Sequence, residues 1–186
     1  LLMNRRDFEF SVFKAVERLH VLPLIEKDFS DVELFLKIAN SVTNRRKSRS
    51  GKSLELGLES IFRAKHLEFD AQATTERKSQ PDFLFPSLAR YRSASSGSPE
   101  LVMLAAKTCC KDRWRQVLRE AQKIPTKHLF TLQEGVSESQ IAEMKDAGVR
   151  LVVPQGNVNA FPKVERRWLM NLDSFCEFVG KVQKDV

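Results

Sequence analysis

Cysteine is scarce in this chain: three in 186 residues, two of them neighbours, Cys109 and Cys110. Three cysteines build no disulfide framework, and adjacent ones bridge only with strain. The three histidines, His20, His66 and His128, fall at no zinc-ligand spacing, and no Cys-x-x-Cys occurs. Structural zinc and thiol redox chemistry are thereby disfavoured, and the cysteine pair reads as ordinary small residues at a strand end. No apolar run approaches the roughly 20 residues that cross a bilayer. The opening LLMNRRDFEF carries charges where a secretory leader would be greasy, so a soluble, cytoplasmic protein is expected. Tyrosine occurs once, at Tyr91, and no histidine has an arginine three residues on. That speaks against the arginine-assisted phosphotyrosine chemistry a lone loop tyrosine invites, and leaves Tyr91 to make a binding contact or pack its loop.

Negative charge is also in deficit. Lys and Arg number 31 against 24 Asp and Glu, a net +7, which points to a polyanionic partner. The basic residues crowd into NRRKSRSGK (residues 44–52), KDRWRQVLR (111–119) and VERRW (164–168).

What is present is an alternation of helix and strand signals. Phe8, Val12, Phe13, Val16 and Leu19 share one helical face before Pro23 interrupts, and Ser30 with Glu33 forms a capping box for a second apolar helix. Both read as core or dimer-packing helices, a segment spanning 1–43 ahead of a core spanning 44–186. After the basic loop, Ser53 caps a helix with a buried stripe of Leu54, Leu58, Ile61 and Phe62. EFDAQAT and PDFLF read as strands, residues 86–99 as a long mobile loop, and ELVMLAAKT as a strand covered on both faces. A helix over KDRWRQVLREAQKI, strand KHLFTLQ, a helix from SESQ to Gly148, strand VRLVVP and a final helix NLDSFCEFVGKV complete the chain. The fold class is α/β, a mixed central sheet flanked by helices.

Asp82 heads one strand and Lys107 ends the next, an arrangement able to hold a metal ion over a phosphate. The acid that commonly stands two residues before such a lysine is missing, because that position is Ala105. Glu55 and Glu59, one turn apart on the preceding helix, are the acids available to replace it.

Pro81–Asp82 followed by Ala105–Lys107 resembles the PD-(D/E)xK nuclease superfamily. RSGKSLELGLESIF, QPDFLFPS, KTCCKDRWRQVLREAQKI, KHLFTLQEGVS and RLVVP are similar, in order and wording, to the catalytic C-terminal domain of EcoRII-type restriction endonucleases, over roughly residues 44–180. The resemblance implies a restriction-endonuclease-like core that cuts double-stranded DNA with Mg²⁺ at a short, near-palindromic site of C·G pairs around a central A·T pair. It assigns Asp82 as primary metal ligand, Glu55 in preference to Glu59 as a ligand directly or through water, and the Ala106 carbonyl as a further ligand. Lys107 then orients the attacking water and stabilises the transition state. Lys111, one helical turn on, reaches the scissile phosphate or a flanking one. Glu120, among three arginines, reads as a salt-bridge residue rather than a ligand.

For DNA contacts, Arg45, Arg46, Arg49 and Lys52 of the basic loop come first, with Arg113, Tyr91 and Arg5 as further candidates. A near-palindrome implies a homodimer, one active site per strand. Larger members of the family carry an N-terminal effector domain, absent from this chain, so an isolated catalytic domain or a naturally compact relative is expected; a first residue of Leu rather than Met favours the fragment. Two other functions compete: a structure-selective or repair nuclease on the same fold, and a non-cleaving DNA-binding module in which Ala105 marks a decayed site.

Overall fold

The computed structural model describes residues 2–27, 31–111 and 113–185. They form two compact units, Leu1–Gly57 and Leu58–Val186. The first holds helix α1 (Leu2–Glu26) and most of helix α2 (Val32–Ala64), whose last turns belong to the second.

Helix α1 runs through Pro23 instead of stopping there. A proline this near a helix end removes only one internal hydrogen bond from a turn that already frays. The basic segment expected as a loop lies wholly inside α2. Its Arg and Lys residues are good helix formers. Gly51 is required for neither a turn nor a close approach, since a Cβ there would meet nothing within 4 Å. Ser53 is therefore interior to the helix and not its N-cap, and its hydroxyl bonds Glu9. The N-cap expected at Ser30 lies outside the described residues. Asp31 takes that role, its Oδ1 accepting the Leu34 amide at 2.6 Å. Within this unit the Arg46 guanidinium grips Glu17, Nε to Oε1 at 2.9 Å, and Arg49 lies 5.2 Å over the Phe13 ring. Much of the apolar stripe of α1 faces outward, with Phe8 70% and Leu19 75% exposed.

The second unit is built on a six-stranded sheet. Its strands β1 (Asp70–Ala71), β2 (Phe83–Phe85), β3 (Val102–Lys107), β4 (Lys127–Thr131), β5 (Val149–Val153) and β6 (Met170–Asn171) lie side by side in chain order. The first three pair antiparallel and the last four parallel, with Leu84 opposite Met103 and Lys107 opposite Thr131. The mixed sheet matches the expected class. Helices α3 (Leu88–Ser93), α4 (Trp114–Val117), α5 (Glu138–Asp146) and α6 (Leu172–Lys184) accompany it.

Strand alternation sorts the core into two faces. Phe83 and Phe85 point to one side, where Phe62 of α2, Phe69 and Phe175 of α6 stack edge to face around them. Leu84, Met103, Ala105, Leu129, Leu151 and Val153 form the other, covered by Trp114, Val117, Ile141 and Met144.

Two segments differ from expectation. Residues 88–93 form α3, capped by the Ser87 hydroxyl, and Tyr91 inserts from it into the core, so this stretch is not an unstructured loop. Conversely, the long helix expected over residues 111–124 shrinks to the single turn of α4. The chain leaves helical geometry at Ala121, where φ is +43°. The short strand β6 carried no sequence signal of its own, being two residues long.

Candidate active site

Asp82 stands immediately before β2, on the same side as Leu84, and Lys107 ends β3 on the side of Met103 and Ala105. The antiparallel register of these strands brings the two side chains together. The Lys107 ammonium donates to Asp82 Oδ2 at 2.8 Å, and the Ala106 N–H donates to the same oxygen at 2.7 Å. Oδ1 accepts the Gln72 side-chain amide at 2.9 Å, while the Gln72 backbone N–H donates to the Asp82 carbonyl at 3.1 Å. Asp82 is only 6% exposed. An ion pair buried this far is held by filled hydrogen bonds.

A third ionisable group acts on this pair. Glu120, expected from the sequence to form a salt bridge, makes no ion pair at contact distance among the described residues, and its buried Oε2 has no hydrogen-bond partner there. Burial pushes its carboxyl up to about 7; the Lys107 charge opposes that rise and the Asp82 charge adds to it. The physical reason for the difference is the early end of α4: with the chain turning at Ala121, residue 120 is carried toward the sheet instead of out along an exposed helix. Ala105 is fully buried, in the core cluster that also contains Ala121. Among the described residues, no three His, Cys, Asp or Glu side chains form a ready-made metal cage. A pair of acids still fits a small divalent cation that keeps several waters, and the orphaned carboxylate oxygen of Glu120 is the group such a cation would satisfy.

The other sequence-predicted residues are placed as follows. Lys111 is exposed, in a loop gathered by Gln133, whose Oε1 accepts the Cys110 and Lys111 N–H groups at 3.0 and 3.2 Å. Arg113 is exposed next to α4. Tyr91 is 2% exposed, and its hydroxyl donates to the Glu76 carboxylate at 2.7 Å and accepts the Lys123 N–H at 3.1 Å. Burial raises the tyrosine to about 12. Of its two sequence-level roles, packing matches this setting. In the first unit Arg45, Arg46 and Arg49 are exposed, Lys52 pairs with Glu55 at 3.4 Å, and the side chain of Arg5 lies outside the described residues. Glu59, in the second unit, pairs with Arg63 at 2.7 Å.

Sequence reasoning missed Gln72 and Gln133, which carry no signal in a single sequence. It also undervalued Glu120, which shares the stretch after Lys107 with a second acid, Asp112, so its position in the sequence alone does not set it apart.

Sheet, helices and buried Asp–Lys pair together define the restriction-endonuclease fold. Two solved structures support this: a metal-depleted Ecl18kI in complex with uncleaved, modified DNA, with a TM-score of 0.81 and 20% identity over 99% of this chain and 69% of that one; and a complex of restriction endonuclease PspGI with substrate DNA, with a TM-score of 0.77 and 15% identity over 97% of this chain and 78% of that one. The family model described as EcoRII C terminal matches residues 13–176, and the chain belongs to that family. It is 53% identical over 186 residues to the type II restriction enzyme EcoRII of Escherichia coli, covering 100% of this chain and 46% of that protein. It is 29% identical over 132 residues to the type II restriction enzyme SsoII of Shigella sonnei, covering 66% of this chain and 42% of that one. The chain thus spans less than half the length of these two relatives. Among the described residues, no helix is long and apolar enough to cross a membrane.

Proposed function

We propose that this chain is the catalytic region of a type II restriction endonuclease, hydrolysing phosphodiester bonds of double-stranded DNA at a short, near-palindromic site with Mg²⁺. The observation that carries the reading is the buried Asp82–Lys107 pair, whose charges act on the buried, unpartnered Glu120 carboxylate. Family membership and the net charge of +7 support DNA as the substrate.

Asp82 and Glu120 would hold the Mg²⁺, with the Ala106 carbonyl as a backbone ligand and Glu55 as a further acid acting directly or through water. When bound, the ion lowers the pKa of a water and offsets charge building on the phosphoryl oxygens. The Ala106 N–H and the Gln72 amide fix the orientation of the Asp82 carboxylate, so that it is aimed before substrate arrives. Lys107 offers its ammonium to the charge that develops on the phosphoryl group, and orients the attacking water. Lys111 contacts the scissile phosphate or its neighbour. The helical row of Arg45, Arg46, Arg49 and Lys52, with Arg113 and Arg5, engages DNA.

The chain works as a homodimer, one site for each strand; the exposed apolar face of α1 supplies a surface for that association. A regulatory effector domain precedes this region in the whole protein, and the cytoplasm, where the DNA is, is its compartment.

The test is incubation of defined duplexes with and without Mg²⁺, comparing the chain with Asp82→Ala and Lys107→Ala. Discrete site-specific cuts lost in both variants are expected. Cuts that follow DNA structure and ignore sequence favour a repair nuclease, and binding without cleavage favours a decayed site.

A further inference from the structure

Lys127 opens β4, an interior strand hydrogen-bonded on both sides, yet the residue is only 5% exposed. Among the described residues it makes no ion pair at contact distance. Its ammonium instead directs its donors at three backbone carbonyls: Glu120 at 2.6 Å, Ala121 at 2.7 Å and Ile124 at 2.5 Å. An ammonium has three N–H groups, so all are used. The first acceptor is the main chain of the acid whose carboxylate lies in the field of Asp82 and Lys107. The second belongs to Ala121, held at a φ of +43° that a residue with a Cβ seldom adopts. A turn of this kind persists only where its surroundings over-determine it.

The same segment is tied from its other end. Lys123 sends its ammonium to the carbonyls of Tyr91, Arg92 and Ala94 at 3.0, 3.0 and 2.8 Å, the C-terminal carbonyls of α3. Burying a lysine is unfavourable, and burial lowers Lys127 to about 8. A methionine would fill the same space at no such penalty but would take a donor from each of three carbonyls, of which that of Ala121 also accepts the Ile124 N–H at 2.9 Å. Tethering, not space-filling, is what the lysine does here.

We propose that Lys127 is a positioning residue of the active site: by gathering the carbonyls of Glu120, Ala121 and Ile124 onto the rigid start of β4, it fixes the turn that presents the Glu120 carboxylate to Asp82 and Lys107. This rests on Glu120 being a metal-holding acid, as proposed above.

The test measures metal binding without turnover. Mn²⁺, which takes the same oxygen ligands, is titrated into the protein and free Mn²⁺ followed by electron paramagnetic resonance, for the unaltered chain, Lys127→Met, Glu120→Gln and the double variant. Each single variant is expected to weaken Mn²⁺ binding about tenfold, by loss of a ligand or of its aim. The double variant is expected to bind within about twofold of Glu120→Gln, because Lys127 acts through that side chain. Lys127→Arg, which keeps the donors, should recover part of the loss.

If Lys127→Met binds Mn²⁺ like the unaltered chain while Glu120→Gln does not, the positioning role is overturned and the Glu120 reading stands. A further tenfold loss on adding Lys127→Met to Glu120→Gln also overturns it, since the effect is then general. Unchanged binding in Glu120→Gln overturns both. Circular dichroism monitors folding; should Lys127→Met fail to fold, Lys127→Gln replaces it, and the same binding outcomes support or overturn the positioning role.

Discussion

On one face of the central sheet, Phe62 meets Phe83 and Phe85 edge to face at centroid distances of 5.1 and 5.3 Å, and Phe175 closes the group 5.8 Å from Phe85. On the other face, aliphatic side chains lead up to Asp82, Lys107, Glu120 and Lys127, four ionisable groups set into or beside the core. Both faces exclude water, but to different ends. Among the aromatic rings, exclusion supplies stability directly, through apolar burial and edge-to-face contact. Around the four charged groups it works against stability, and in exchange strengthens every electrostatic interaction available to a substrate. One face should therefore fail by unfolding, the other by losing chemistry.

The largest separation is expected from Asp82→Asn. Cleavage of a cognate duplex should fall at least about 10³-fold, some 4 kcal/mol of transition-state stabilisation, with duplex binding retained in a gel-shift assay. Phe62→Ala sharpens the contrast from the other side. It should cost about 3–5 kcal/mol in urea denaturation, as for other buried aromatics cut to alanine, while the folded fraction cleaves normally.

Acid comes next. His128 lies 5.3 Å from the Phe175 ring and 5.5 Å from that of Phe178, and burial, with the Arg150 charge, lowers its pKa to about 4. The unfolded chain, with an ordinary value near 6.5, takes up the proton first. The stability contributed by the neutral ring is therefore whole above about pH 6.5 and is lost as pH falls toward about 4, by up to about 3 kcal/mol. Denaturation at pH 7.5 and pH 5 should show a difference that His128→Phe reduces. The smallest effect concerns Tyr91→Phe, which strips the Glu76 carboxylate of its hydroxyl donor. A loss of about 1–3 kcal/mol in stability is expected, with DNA binding unaltered; weakened DNA binding would instead restore Tyr91 to the interface.

Most of the framework is legible in the chain itself, and the reasons for the exceptions are local. β3 announces itself as an apolar run ending in Lys107, and β2 as Phe83–Phe85 behind Pro81, so the Asp–Lys pair can be read from the order of residues alone. The basic segment is not legible as helix, because Ser and Gly at residues 48–53 mimic a loop while the Arg and Lys between them favour the helix that actually forms. Residues 86–99 look unstructured by composition, yet Tyr91 finds both a buried site and a carboxylate partner and orders α3. Glu120 is hidden for a different reason. Its periodicity with Trp114 and Val117 extends a helix that the structure ends early, and only the turn at Ala121, held by a lysine from the next strand, reveals which way the carboxylate goes.

The central question is where the acid missing at Ala105 comes from. Single-turnover cleavage of a cognate duplex over a range of Mg²⁺ concentrations, for the unaltered chain, Glu120→Gln and Glu55→Gln, addresses this most directly. A metal-holding Glu120 predicts a fall of at least about 10²-fold for Glu120→Gln with a raised Mg²⁺ requirement, and a smaller fall for Glu55→Gln. Cleavage by Glu120→Gln at the unaltered rate and the unaltered Mg²⁺ midpoint would contradict it.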